Sequence, residues 1–211
     1  MNKQMVKDSL VLFVITLVAG LLLGGVYAIT KQPIAEAQET KKQEAYQTVF
    51  ADAAEFQDME NWNIEDAAVV LQQAGYEKDV INEVKIAVDA SQKPLGYVMT
   101  ITSTEAYGGE LQIALGIRMD GTINQISFLS LSETKGLGME AKKPGFYEQF
   151  SGKQVSEFSC TKTGAVLENE IDALSGATIT SNAVTNAVNA GICYAQNLGL
   201  EENGQGGGSD E

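Results

Sequence analysis

A run of hydroxyl-bearing and small residues lies just before the last apolar helix pattern of this sequence. It extends from Asp172 to Ser181 and reads Asp-Ala-Leu-Ser-Gly-Ala-Thr-Ile-Thr-Ser. Glycine lets a backbone approach a ligand closely, and the free N–H groups at a helix start stabilise a phosphate. The run is therefore a candidate phosphate-binding loop. The alternative is a plain helix start at which Thr180 or Ser181 is the N-cap.

The composition excludes several other kinds of functional site. The 211 residues contain no histidine, which removes Ser-His-Asp and Cys-His nucleophile pairs and most zinc and non-haem iron sites. Two cysteines, Cys160 and Cys193, are too few for an iron–sulfur cluster or a structural zinc site. We predict no metal site, and we interpret the two thiols as unpaired and buried rather than as a disulfide. Redox chemistry would need another kind of cofactor.

The net charge argues against nucleic-acid partners. Acidic residues outnumber basic residues by 28 to 14, which gives a net charge of −14 at pH 7. Phosphate backbones and anionic lipid surfaces would repel a soluble domain of this charge. The length allows one ordinary domain with an appendage and excludes two large domains.

An uncharged segment near the N-terminus predicts a transmembrane helix at residues 9–30. As a helix it would span roughly 33 Å, enough for a bilayer core, whereas the apolar region of a signal peptide is only about 7 to 15 residues long. The short segment before it is net basic, so we expect a cytoplasmic N-terminus and an exported remainder, although lysines also follow the span. Gly20, Gly24 and Gly25 suit the close approach of a helix from another membrane protein of the same assembly.

The remaining patterns indicate helices around an antiparallel sheet. Residues 31–80 contain a stalk helix and a second helix from Ile64 to Ala74 that stops at Gly75. Alternating apolar residues then predict strands, with turns at Lys93–Gly96 and Asp120–Gly121 and a last strand over Ile123–Leu131. A helix from Ser181 to Leu198 follows the hydroxyl-rich run.

The sequence therefore predicts an α+β protein. We divide it into a cytoplasmic N-terminus at 1–8, a transmembrane helix at 9–30, a helical stalk and lead-in at 31–80, an antiparallel-sheet domain with a C-terminal helix at 81–198, and a disordered acidic tail at 199–211.

Three motifs in this order resemble the FMN-binding domain family. Asp172–Thr178 resembles that family's flavinylation motif, Asp-x-x-Ser/Thr-Gly-Ala-Thr/Ser, and the following Thr180-Ser181 also matches. Glu133–Gly138 is similar to Glu-Thr-x-Gly-Leu-Gly, with Lys135 where proline is common, and Tyr107-Gly108-Gly109 comes before it. With one N-terminal span, the whole chain resembles the RnfG family, whose members belong to Rnf electron transport complexes.

The resemblance implies a role for each motif residue. Thr178 would carry FMN through a phosphoester bond, Ser175, Gly176 and Ala177 would shape its loop, and Asp172 would orient the loop or assist recognition by a modifying enzyme. Glu133, Thr134 and Leu137 would border the isoalloxazine ring, and Tyr107 would stack near it. The alternatives are a solvated turn carboxylate for Glu133, a core position for Leu137 and a sheet-packing position for Tyr107.

The resemblance also implies a function and partners. The chain would be a membrane-anchored electron carrier in a ferredoxin:NAD⁺ oxidoreductase that pumps Na⁺ or H⁺, beside other membrane and iron–sulfur subunits. A separate magnesium-dependent FAD:protein FMN transferase would attach the flavin and release AMP, because a threonine hydroxyl without a histidine base is a poor nucleophile. Two alternatives are a covalent-FMN subunit of the Na⁺-translocating NADH:quinone reductase or another respiratory chain, and a cofactor-free membrane-anchored scaffold or binding domain.

Overall fold

The computed structural model describes residues 3–60 and 62–200, which form four α-helices and seven strands. By internal contacts the chain separates into two units, with the boundary between Lys41 and Lys42. In chain order the elements are α1 (Lys3–Val49), β1 (Glu55–Asp58), α2 (Ile64–Ala74), β2 (Asp79–Val88), β3 (Pro94–Ala106), β4 (Gly109–Arg118), β5 (Ile123–Leu131), α3 (Pro144–Tyr147), β6 (Ser159–Thr161), β7 (Glu170–Asp172) and α4 (Thr178–Asn197).

Helix α1 contains the predicted span and the predicted stalk, with Pro33 inside it. Among the described residues, it is the one helix long and apolar enough to cross a membrane. This supports membrane anchoring of the chain. The last residues of α1, from Lys42 onward, belong to the second unit, where Ala45, Tyr46 and Val49 are buried.

The second unit is built on a five-stranded antiparallel sheet in the order β1-β2-β3-β4-β5. The prediction that Leu111, Ile113, Leu115 and Ile117 form one face of β4 is confirmed, because all four belong to the larger core, whereas Ala114 between them belongs to a second core on the other face. The predicted last strand, Ile123–Leu131, and the predicted helix Ile64–Ala74 with its stop at Gly75 are also confirmed. The fold class is therefore α+β, as expected.

Two details of the predicted sheet are wrong. The lead-in within residues 31–80 is not wholly helical, because β1 pairs with β2 as a short edge strand. The four residues of β1 are too few to show a clear alternation in the sequence. The turn between β2 and β3 lies before Pro94, not at Lys93–Gly96. There the Asp89 carboxylate accepts hydrogen bonds from the N–H groups of Ser91 and Lys93, so the chain reverses before the proline.

Each face of the sheet is covered by helix. Helices α2 and α4 pack on one face over the larger core, which includes Ile101, Leu115 and Val188. Tyr46, Val49 and Phe50, from the end of α1 and just after it, pack with Val98 and Ala114 in a second core. The sheet thereby becomes the middle layer of the unit.

The predicted tail is largely outside the described residues, which end at Leu200. Met1 and Asn2 of the predicted N-terminal segment also lie outside them. Cys160 and Cys193 are free, as interpreted from the sequence, but they are only partly buried, and this burial raises the pKa of both thiols.

Candidate functional site

A cavity of about 500 Å³ lies where the three sequence motifs meet. This volume falls within the range of about 300 to 1,000 Å³ that is typical of small-molecule sites. The motifs come from the β3–β4 turn, the segment after β5 and the start of α4. The lining residues are Tyr107, Glu133, Thr134, Leu137, Gly138, Gly176, Ala177, Thr178, Ile179 and Thr180.

The Glu133 carboxylate connects the three segments. Its Oε1 atom accepts a hydrogen bond from the Gly108 N–H at 3.2 Å and another from the Thr180 hydroxyl at 2.8 Å. Residues 25 and 47 positions away along the chain are thus held by one oxygen. Glu133 is partly buried, so it is not the freely solvated turn residue of the alternative interpretation.

Two glycines permit this close approach. A Cβ atom on Gly108 would lie 1.8 Å from the Ser132 carbonyl oxygen, and one on Gly138 would lie 2.7 Å from the Glu133 carboxylate and 2.8 Å from the Thr180 hydroxyl. The backbone contact leaves no room for a side chain at position 108, and a side chain at position 138 would displace the Glu133 carboxylate and the Thr180 hydroxyl from their present places. The glycines of the two motifs therefore serve the packing between the motifs.

Helix α4 begins at Thr178, three residues earlier than predicted. Its N-cap is Ala177, which makes no side-chain capping bond, so the interpretation of Thr180 or Ser181 as the N-cap is wrong. The Ser181 hydroxyl is used within the loop instead: it donates to the Ala177 carbonyl oxygen and accepts from the Leu174 N–H. The preceding loop is thereby tied to the first turn of the helix.

The start of α4 has unused hydrogen-bond donors. Within the described parts of the chain, the N–H groups of Thr178, Ile179 and Thr180 have no protein acceptor, because Ser181 makes the first bond of the helix, to Ala177. Free N–H groups and the positive end of the helix dipole favour an anion at this place. All three of these residues line the cavity.

The hydroxyl groups of this segment differ in their availability. Those of Thr180 and Ser181 belong to buried residues and are engaged in the bonds described above. Thr178 is partly buried and lines the cavity, whereas Ser175 is exposed and does not line it. Of these four hydroxyl residues, only Thr178 combines a place on the cavity with a hydroxyl that no described hydrogen bond engages.

Apolar side chains form an exposed rim around the cavity. Tyr107 is 73% exposed, Ile179 is 54% exposed and Leu137 is 43% exposed. Tyr107 therefore does not pack on the sheet, and Leu137 is not a core residue. Such a rim offers contact area to a planar aromatic ligand.

Some of the predicted residues lie apart from the cavity lining, and others were missed. Asp172 accepts a hydrogen bond from the Ala165 N–H at 2.5 Å and donates its own N–H to Gln149, so it holds the loop between β6 and β7. Ser175 also lies outside the lining. The predicted site residues omitted Gly138, Ile179 and Thr180. The motif strings contained Gly138 and Thr180, but only the early start of α4 places Ile179 at the cavity.

Known proteins match this chain at both ends of its sequence. The sequence model of a family described as RnfG N-terminal region matches residues 1–49. That of a family described as FMN-binding domain matches residues 106–192, which include every residue that lines the cavity. The G component of the Na⁺-translocating ferredoxin:NAD⁺ oxidoreductase complex of Acetobacterium woodii is 36% identical over 200 residues, which cover 93% of this chain and 94% of the relative. The chain belongs to the RnfG family.

A second RnfG relative agrees over nearly the whole length. The G component of the ion-translocating oxidoreductase complex of Methanosarcina acetivorans is 32% identical, with 92% of this chain and 95% of the relative covered. The crystal structure of Shewanella oneidensis NqrC is 21% identical, covers 52% of this chain and 55% of that chain, and gives a TM-score of 0.45.

The cavity fits the FMN that an FMN-binding domain takes. The free N–H groups at the start of α4 suit its phosphate, and the exposed apolar rim suits its ring system. This RnfG homologue therefore contains an FMN-binding domain whose matched region carries a cavity of suitable size and chemistry.

Proposed function

We propose that this chain carries FMN covalently on Thr178 and serves as an electron-carrier subunit of an ion-translocating ferredoxin:NAD⁺ oxidoreductase complex. One observation carries the proposal: the Thr178 hydroxyl lies on a cavity at a helix start with three free N–H groups, while its hydroxyl neighbours on α4 are engaged. FMN supplies one- and two-electron redox chemistry that the side chains of this chain lack.

The attachment is a phosphoryl transfer. The Thr178 Oγ attacks the FMN phosphorus of FAD, a new P–O bond forms, the bond between the two phosphates of FAD breaks, and AMP leaves. The hydroxyl proton passes to a base. Since the chain has no histidine and a threonine hydroxyl is a poor nucleophile without a base, we assign that base to a separate FMN transferase.

The cavity residues then hold the flavin. The free N–H groups of Thr178, Ile179 and Thr180 would bind the FMN phosphate and offset its negative charge, in a chain whose net charge is already −14. Tyr107, Leu137 and Ile179 would contact the ring and exclude water from it. The covalent bond keeps the flavin on a domain that cannot draw FMN from a cytoplasmic pool.

The place of the chain in a larger machine follows from its relatives. The relatives from Acetobacterium woodii and Clostridium ljungdahlii are named as components of Na⁺-translocating and proton-translocating ferredoxin:NAD⁺ oxidoreductase complexes. The RnfG homologues match over the anchor as well as the domain, which supports the Rnf assignment over the quinone reductase alternative. The partners are then the other membrane and iron–sulfur subunits.

We also propose that α1 crosses the plasma membrane once, with residues 1–8 in the cytoplasm and the sheet domain outside. Lys3 and Lys7 lie before the apolar segment, and positive residues favour the cytoplasmic side of a membrane helix. Lys42 lies after the segment, and it forms an ion pair with Glu83 of the folded unit. A protease added to spheroplasts should cleave the domain. Protection of the domain there, with cleavage only after lysis, would contradict this orientation.

Flavin fluorescence after denaturation tests the covalent attachment. The chain is produced with an active FMN transferase, denatured and separated on a gel. We expect fluorescence from the wild type, none from Thr178→Ala, and fluorescence from Thr178→Ser, because serine retains the hydroxyl. Ser156→Ala is the matched control, since Ser156 is an exposed hydroxyl residue outside the motif and outside the cavity lining, and it should remain fluorescent.

The same gel separates the proposal from the scaffold alternative. A dark wild-type band, with the transferase active on another substrate, would favour a cofactor-free domain. Fluorescence that persists in Thr178→Ala would place the flavin on another residue.

A further inference from the structure

Glu133 is the charged side chain of the proposed flavin cavity. Among the described lining residues, the others are apolar, aromatic, glycine or threonine, and no lysine or arginine lines the cavity. A charge in such surroundings is screened less than one on an open surface. The Glu133 charge therefore acts on whatever occupies the cavity.

The carboxylate is fixed in place. Both of its hydrogen bonds, from the Gly108 N–H and the Thr180 hydroxyl, end on Oε1. Within the described residues, Oε2 accepts no hydrogen bond, and a Cβ on Gly138, itself a lining residue, would lie 2.7 Å from it. Both contacts are donors, which suits an ionised acceptor. Oε1 thus holds the carboxylate in place, whereas Oε2 has no described donor to offset its share of the negative charge.

We propose that Glu133 is a positioning residue that lowers the reduction potential of the flavin bound in this cavity. The inference rests on the proposed function and concerns the tuning of the same site. Reduction adds an electron from a donor to the flavin ring, and a fixed negative charge nearby opposes the added electron density. The hydrogen bonds from Gly108 and Thr180 both hold this charge and partly offset it.

Replacement of the charge without loss of the contacts gives the test. Glu133→Gln keeps an oxygen that can accept from both Gly108 and Thr180, so the three segments should stay together. Glu110→Gln is the matched control, because Glu110 is an exposed carboxylate on β4 outside the cavity lining. The full-length chain with covalent FMN is titrated with the reductant dithionite at fixed pH and salt, and the reduction potential is read from the flavin absorbance against the solution potential. Flavin fluorescence and melting temperature are also recorded.

We expect Glu133→Gln to make the flavin easier to reduce. The equilibrium constant for reduction should rise about tenfold per electron, which is about 59 mV toward positive potential. Glu110→Gln should match the wild type. Thr180→Val removes a donor to Oε1 and leaves the carboxylate charge less compensated, so its potential should move in the negative direction.

The three ways in which this test can fail are distinguishable. A Glu133→Gln chain that carries covalent FMN at the wild-type potential would overturn this inference and leave the proposed function intact. If Glu133→Gln takes up no flavin, Thr180→Val decides, and a potential equal to or above that of the wild type would overturn it. Absence of covalent flavin in the wild type would overturn the inference and the proposed function together.

Discussion

At the scale of single residues, the chain keeps a carboxyl group inside its folded unit. Asp79 is only 4% exposed, and its Oδ1 atom has no hydrogen-bond partner among the described residues. Burial raises its pKa to about 6, and the neighbouring Glu105 carboxylate, which pairs with Lys78, adds to the rise. Ser103 lies opposite it on β3, and although its hydroxyl makes no hydrogen bond of good geometry among those residues, it favours the ionised carboxylate and so limits the rise in the Asp79 pKa.

This raised pKa predicts a pH-dependent stability. The folded state binds the Asp79 proton more tightly than the unfolded state does, whose pKa is near 3.8. Stability from this group is therefore complete below about pH 4 and is lost as the pH rises through 6, by up to about 3 kcal/mol. We expect Asp79→Asn to abolish that part of the pH dependence. Urea unfolding at pH 4.5 and 7.5 measures it, with Glu110→Gln as the control.

A difference in unfolding free energy between Asp79→Asn and the wild type that is the same at both pH values would contradict this prediction. Because variant and wild type are compared at the same pH, the contributions of the other titrating groups cancel. The change of this difference in unfolding free energy with pH is therefore due to Asp79.

At the scale of elements, α4 joins the site to the rest of the domain. Its first turn lines the cavity, and its middle is held by Asn189, which is buried. The Asn189 side chain accepts from the Phe158 N–H at 2.8 Å and donates to the Phe158 carbonyl oxygen at 2.9 Å. The Asn189 amide thus pairs with both backbone groups of Phe158, just before β6, as a neighbouring strand would.

Loss of the Asn189 amide should therefore be costly. Asn189→Ala leaves two backbone groups of Phe158 without partners, and each buried unsatisfied group costs about 1 to 3 kcal/mol. We expect a loss of about 2 to 5 kcal/mol in unfolding free energy. Asn182→Ala, at an exposed position of the same helix, should change stability by less than about 1 kcal/mol. Equal effects of the two variants in chemical unfolding would refute the role of Asn189.

At the scale of the whole molecule, α1 contains both the predicted membrane span and the first residues of the sheet domain. Tyr46 and Phe50 are fully buried, and the Tyr46 hydroxyl hydrogen-bonds with Glu83 and Thr100 at 2.7 Å each. The segment after residue 41 is therefore part of the domain core.

Truncation tests where the domain begins. A chain that lacks residues 1–40 keeps Tyr46, Val49 and Phe50 and should fold without the anchor. A chain that lacks residues 1–50 loses all three, and truncation of one large buried side chain already costs about 3 to 5 kcal/mol. Because whole domains are stable by only about 5 to 15 kcal/mol, we expect the shorter chain to be unfolded by near-ultraviolet circular dichroism. Identical melting of the two chains would disprove this boundary.

The sequence by itself determined the kind of protein and the motifs of its site. Local signals carried this information: an uncharged run long enough for a bilayer, the alternation of Leu111 to Ile117, and three motif strings in order. Tertiary structure alone decided how the motifs meet. The Glu133 bonds to Gly108 and Thr180, and the packing of Phe50 on the sheet, join residues distant in sequence, so no local pattern reveals them.

The start of α4 shows the same division within one short segment. Thr180 and Ser181 have the residue types of an N-cap, and a local interpretation assigns them that role. In the folded chain, Glu133 and the Leu174 N–H engage their side chains, and the helix begins earlier, at Thr178. These hydrogen bonds, one of them to a distant segment, outweigh a capping preference of about 1 kcal/mol, and this leaves the Thr178 hydroxyl on the cavity.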